Sequence, residues 1–219
     1  MKSGWNMRRR SGRWLLPALF CLMAVPAVAE DGPPAPTAFT LHATMVGDNP
    51  YHGGYDTTPY PVTLYARGKS TRVDFTGPAD ERGMLLHEAD TRSGWLVSLN
   101  EGIAIPLDAP GLGELVVEPE RPCQRMQARC QPAGNRYVAG RVVKGWRYRN
   151  ADGRGPAGTS SGELWVDPEH GVILAYSGKK QGWDRRYEME AMAVTYGPLS
   201  ELLFELPESV AVPNEGERL

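Results

Sequence analysis

From residue 38 to residue 195 the chain is cut into short strand-like runs, with almost nothing that can become a helix. Residues 38–46 set Phe39, Leu41, Ala43 and Met45 against Thr40, His42 and Thr44, the two-residue period of a strand with one buried face. Residues 62–66 and 71–75 flank Arg67-Gly68-Lys69 as a hairpin, and 83–89 and 95–99 flank the turn at 90–94. Asn100-Glu101-Gly102 then turns the chain into 103–107. In 110–130, Gly111, Gly113, Pro119 and Pro122 leave room only for short helical turns. Strand patterning resumes over 136–138, 141–149, 163–167, 172–177 and 187–195, and 199–203 fits one helical turn. Residues 48–59 read as a polar loop, and the Gly/Ser-rich 154–161 as a mobile hairpin tip.

Ten or so strands joined by tight turns predict an antiparallel sheet rather than βαβ units. With few helices to cover it, such a sheet has to curve and shield its own apolar face. The expected fold is therefore mainly β, a single curved antiparallel sheet forming an incomplete half-barrel over short helices and loops. About 190 residues can bury roughly 70% of their unfolded surface, so one domain suffices.

The first residues read differently. A basic head ending at Arg13 precedes an apolar run over 14–28 that closes on Ala27-Val28-Ala29, the pattern of a secretory signal peptide cut after Ala29. That run contains Pro17 and Pro26, and its length of about 15 residues falls short of the roughly 20 that span a bilayer, so no transmembrane anchor is expected after cleavage. Arg8-Arg9-Arg10 leaves both the general and the twin-arginine export routes open. The expected layout is a signal peptide at 1–29, a Pro-rich linker at 30–37, the β domain at 38–213 and a tail at 214–219. Five of the 24 basic residues and no acid lie in 1–29, so the remainder carries 19 basic against 26 acidic groups, a net of −7. Such a charge does not suit a nucleic-acid partner, whose phosphates must be neutralised by Lys and Arg. Export also predicts that Cys123 and Cys130 pair as a disulfide. A straight helix would hold their Cα atoms about 10.5 Å apart, beyond the roughly 7 Å a disulfide spans, so the bonded stretch is expected to bend.

Residues 162–174, Gly-Glu-Leu-Trp-Val-Asp-Pro-Glu-His-Gly-Val-Ile-Leu, resemble a recurring pattern of LolA/LolB-like lipoprotein-carrier proteins: a strand ending Trp-Val-Asp, a turn with Gly, and a second strand. Residues 140–148 with Trp146 look like the preceding family hairpin, and Leu202-Leu203-Phe204-Glu205-Leu206-Pro207 resembles its closing segment. Residues 65–75 and 94–99 are similar, more loosely, to its first-half strands. The likeness spans most of 38–210 and is nearest to the uncharacterised periplasmic members. It implies a periplasmic location, an incomplete barrel of about eleven strands and an apolar interior that holds acyl chains of lipoproteins or other lipids. No arginine here aligns with the one that holds the carrier's lid shut.

No residue set is expected to be catalytic, to ligate a metal or to hold a cofactor. His42, His52, His87 and His170 lie in separate segments without metal-ligand spacing. There is no G-x-S-x-G or S-x-x-K motif, and the glycine-rich 153–162 lacks the phosphate-loop pattern. Glu163 and Asp167, which flank Trp165, read as a solvent-facing acidic stripe rather than a catalytic pair. The aromatics fall in strands, where most fill core and a subset can line an apolar pocket. Phe39, Leu41, Leu64, Val73, Trp95, Val97 and Trp146 are the expected lining residues. The expected function is non-enzymatic binding of an acyl chain, lipid or lipoprotein. The alternative is an envelope protein-interaction scaffold with a filled core, with residues 51–55 as one candidate partner loop.

Overall fold

The computed structural model describes residues 38–49, 54–77, 80–87, 93–108 and 115–213. The expected signal peptide, linker and tail lie outside the described residues, as do residues 51–53 of the candidate partner loop. Eleven strands form one sheet: β1 (Ala38–Asn49), β2 (Gly54–Arg67), β3 (Ser70–Thr76), β4 (Arg82–His87), β5 (Ser93–Ser98), β6 (Ile103–Asp108), β7 (Arg129–Val138), β8 (Arg141–Arg149), β9 (Ser161–Val166), β10 (Ile173–Lys179) and β11 (Arg186–Tyr196). Their order is β6-β5-β4-β3-β2-β1-β11-β10-β9-β8-β7. Two hairpin-connected meanders are thus joined through an antiparallel β1–β11 pairing, and the sheet stays open at β6 and β7.

Register gathers the apolar residues on one face. Val194, Leu41, Leu64, Val73, Leu85 and Leu96 lie side by side across six strands. A second row runs through Trp146, Leu164, Tyr176, Met189, Met45 and Tyr60. The alternation of β1 produces this because successive side chains of a strand point to opposite faces. The described residues of the loop expected over 48–59 belong instead to β1 and β2, where Asp48 pairs with Tyr55 and Asn49 with Gly54. Aromatic and threonine side chains suit a paired strand, and here they outweigh the prolines.

Among the described residues the only helical pieces are 3-10 turns at Pro156–Gly158 and Glu201–Phe204. The short helices expected beneath the sheet are replaced by irregular chain. Leu115, Val117, Cys123 and Met126, from the connection between the two edge strands, are buried in the main core. This segment takes hydrogen bonds beside the start of β10: the Ile173 N–H donates to Leu115 O (2.8 Å) and the Val117 N–H to Gly171 O (2.8 Å). Gly171, at φ +70°, approaches the Val117 carbonyl too closely for any Cβ. Cys123 and Cys130 are bonded with Cα atoms 5.9 Å apart and tie the segment to β7. Closing that loop contributes about 2.5 kcal/mol by restricting the unfolded chain.

The 154–161 loop also packs inward rather than standing out as a mobile tip. Its Thr159 is fully buried, with a hydroxyl that donates to Pro156 O (2.7 Å) and lies 2.5 Å from the Tyr148 hydroxyl. On the opposite face of the first meander, Met84, Leu86, Val97 and Ala104 form a second cluster with Trp95, covered by Leu206 and Val210 of the closing segment. Both open edges are blunted. Pro106 removes an N–H from β6, whose Ala104 N–H is already given to Ala211 O, and β7 carries Pro132 and a register shift before Gly134.

The β9–β10 turn is anchored by a buried carboxylate. Asp167, expected at a solvent-facing stripe, is 1% exposed. It accepts hydrogen bonds from the Tyr196 hydroxyl (2.6 Å) and the Glu169 N–H (3.0 Å), and it lies 3.1 Å from His170 Nδ1 and 2.7 Å from Arg141 Nε. The His170 ring stacks on Tyr196 with centroids 3.6 Å apart. Burial alone would raise the Asp167 pKa, but these hydrogen bonds and the Arg141 charge outweigh it and hold the carboxyl below its ordinary value. Sequence periodicity placed Asp167 on the solvent side because the strand ends at Val166 and the turn redirects the side chain.

Two sets of outcomes are expected, one from the glycines and one from Asp167. Gly171→Ala should cost about 3 kcal/mol, combining left-handed backbone strain of about 1 kcal/mol with loss of the Val117 contact. Gly182→Ala, at φ +75° with open space around it, should show the strain alone in urea unfolding. The Asp167 contribution is present above the ordinary carboxylate pKa and is lost as pH falls through the depressed folded value. Stability should therefore fall below about pH 4 in the wild type. Asp167→Asn should cost about 2–3 kcal/mol at pH 7 and flatten that acid dependence, read by thermal unfolding across pH 2–7.

Candidate functional site

The apolar face is not filled everywhere. Met45, Tyr60, Val62, Val73, Phe75, Leu85 and Tyr176 line a partly open cavity of about 150 Å³, with Ala157 of the inward-packed loop also lining it. Val46 and Gly47 continue the lining, and Asp48, Lys180 and Tyr187 form its polar end. Lys180 is the one cation in the lining among the described residues.

Local chain geometry builds that polar end. The β1–β2 register shifts between Met45 and Gly47, a bulge that re-aims the residues after it. Gly47 has φ +155°, and the Tyr187 ring packs so closely that an added Cβ would lie 2.9 Å from it. Asp48 is thereby brought to Lys180, with Nζ 2.8 Å from Oδ2, while the Tyr187 hydroxyl donates to Oδ1 at 3.2 Å. The ammonium also stands 4.1 Å from the Tyr187 ring centre. Nearby, the Tyr55 hydroxyl donates to Arg186 O (2.8 Å) and packs edge-on against Tyr187, so the β1–β2 hairpin and the β10–β11 turn meet here.

Electrostatics separate the two ends. Burial pulls the Lys180 pKa down, but hydrogen bonds and charge from Asp48 and Tyr187 outweigh it and raise the net value, so the ammonium is charged at neutral pH. Burial, then the charges of Asp48 and Asp56, push Tyr60 up to about 12. Its hydroxyl donates to the Asp48 carbonyl at 3.2 Å. Burial raises Tyr176 as well. The interior is thus neutral and apolar, and the end carries an ion pair. Such an arrangement holds an apolar body and meets a polar group at its exit.

Two other places are less suited. Donor atoms of Asp167, Glu169 and His170 lie within 4.8 Å of one another, a spacing compatible with a metal ion. The Arg141 guanidinium already pairs with both carboxylates, so a cation would have to displace an arginine. A wider open groove of about 570 Å³ is lined by Arg147, Arg149, Glu163, Lys179, Asp184 and Arg186. Most of its charges are paired within it, Arg147 with Glu163 at 2.8 Å and Lys179 with Asp184 at 3.0 Å.

Of the expected lining residues, Val73 stands in the cavity wall. Phe39, Leu41 and Leu64 are buried in the main core on the same face without lining the cavity, and Trp146 packs against that core. Trp95 and Val97 belong to the second cluster on the opposite face, because Leu96 rather than its neighbours continues the Val73–Leu85 row. Met45 was visible as the last apolar position of the β1 alternation. Tyr60 was hidden by its place at the end of an apparent loop.

No protein-family model and no curated protein matches the sequence. Solved structures do match. An uncharacterised conserved protein from Thermus thermophilus superposes with a TM-score of 0.52 at 10% identity, over 81% of this chain and 90% of that one. MucB gives 0.48 at 12% identity over 79% of this chain, and only 58% of MucB is spanned. A LolA superfamily protein from Nitrosomonas europaea gives 0.37 at 12% identity, over 77% and 90%. At such identities the likeness is one of fold alone, a single antiparallel sheet that does not close into a barrel.

Proposed function

We propose that this chain is an exported, non-enzymatic protein of the cell envelope that binds an apolar ligand reversibly in the cavity beneath β1–β3 and β10. The void of about 150 Å³ with an apolar wall carries the reading. An apolar cavity of about that volume takes a benzene-sized molecule, so the occupant is a six-carbon body or the end of a longer acyl chain. Six buried methylenes contribute roughly 5 kcal/mol at about 0.8 kcal/mol each, which corresponds to weak, exchangeable binding before association costs. Accommodating a whole lipid would require the inward-packed segments to move. The interaction-scaffold alternative calls for a filled core, and the cavity favours the ligand reading over it.

Native mass spectrometry of protein from its own compartment, before and after organic extraction, should reveal a removable apolar mass. Titration with 1-hexanol, followed by ligand-observed NMR, should saturate. Val73→Phe, which fills the void with a ring, should weaken that binding at least tenfold while the circular dichroism spectrum stays that of the wild type. Wild-type protein that shows no saturable hexanol binding would overturn the proposal.

A further inference from the structure

We infer that the cavity's polar end is a carboxylate site, and that the ligand class is a short monocarboxylate amphiphile with its chain inside and its carboxylate on Lys180. The inference rests on the cavity being a ligand site and adds what kind of head the ligand carries. Three structural features converge on it. First, Lys180 Nζ and the Tyr187 hydroxyl both point at one carboxylate, that of Asp48, at 2.8 and 3.2 Å. Second, that carboxylate belongs to a side chain 51% exposed, whereas the Lys180 side chain is 27% exposed. Asp48 can therefore swing to solvent at little cost, while the donors stay where the cavity ends. Third, these donors line the same cavity as Met45, Val62 and Val73, so an apolar chain entering it ends beside them.

Asp48 thus acts as an internal stand-in for the ligand's head. It satisfies Lys180 when the cavity is empty and competes with the incoming carboxylate. A charged hydrogen bond to Lys180 adds to chain burial without a second buried charge, because the anion replaces one already there. Chain length is set by the void, whose volume accepts about six carbons. Longer acids have to push apart the packed wall.

The test compares hexanoate with 1-hexanol at pH 7 by calorimetry or ligand-observed NMR on the purified protein. Wild type should bind hexanoate about tenfold or more tighter than hexanol. In Lys180→Gln the two should bind alike, and Asp48→Asn should tighten hexanoate by removing its competitor. Circular dichroism on each variant checks the fold, and both positions lie at the surface end of the site. Equal affinities in the wild type, a preference that survives Lys180→Gln, or hexanoate binding unimproved by Asp48→Asn would each overturn the carboxylate assignment. If hexanol binds in the first of these cases, the apolar-ligand reading stands without it. If neither compound binds, both fall together.

Discussion

Pairing of the first strand with the last is the constraint on which the rest depends. Every other strand pair joins neighbours in sequence, whereas β1 meets β11 with residues such as Leu41 and Val194 more than 150 positions apart. Local hairpins form cheaply, but this contact must close a long loop before it returns any burial. Once made, it turns two meanders, each with an uncovered apolar face, into one curved surface. It also decides where the cavity lies. Met45 opposite Met189 and Val46 opposite Glu188 bring the far end of β1 beside the start of β11, so Asp48 arrives next to Tyr187 and Lys180.

A sheet whose only helical neighbours among the described residues are two 3-10 turns still has to shield its apolar side from water. Here the cover is irregular chain, and irregular chain brings polar groups with it that burial would penalise. The structure answers by pairing them. The Leu115 carbonyl and the Val117 N–H bond to the start of β10 as a further strand would, and the hydroxyls of Tyr148 and Thr159 satisfy each other inside the 154–161 loop. Burial, only partly offset by the Thr159 hydrogen bond, pushes Tyr148 up to about 12, so it stays a neutral donor at any physiological pH. The cover is therefore specified by hydrogen bonds as much as by apolar contact. This is why a stretch rich in Gly, Ser and Pro can be buried at all.

Much of the sheet was legible because strand alternation and turn residues act locally. The β2–β3 hairpin around Arg67-Gly68-Lys69 and the β9–β10 pair follow from neighbours in sequence, and the Cys123–Cys130 bond follows from proximity and export. What was illegible depends on distant partners. Whether Trp95 or Leu96 faces the main core is set by which face the closing segment covers, and Leu206 and Val210 lie about a hundred residues further on. The inward turn of 154–161 depends on Tyr148, and the burial of Asp167 on Arg141 and Tyr196, none of which any local period announces. The cavity combines both limits, since its strands were readable and its polar end arises only where two hairpins meet.

The cavity is also a packing anomaly within this core. Leu41, Leu64, Leu164 and Leu174 are fully buried, and the chain packs closely around them. The space of about 150 Å³ opens at its polar end, so its apolar wall forgoes packing contacts that the rest of the core makes. Larger side chains at Val62, Val73 or Ala157 would remove it without altering the backbone. The space lies against the Asp48–Lys180 ion pair of its lining rather than deep among the leucines, at the place where an apolar chain with a polar end would gain most from both. A bound molecule that fills it recovers the lost contacts, so ligand binding and fold stability are coupled through the same few side chains.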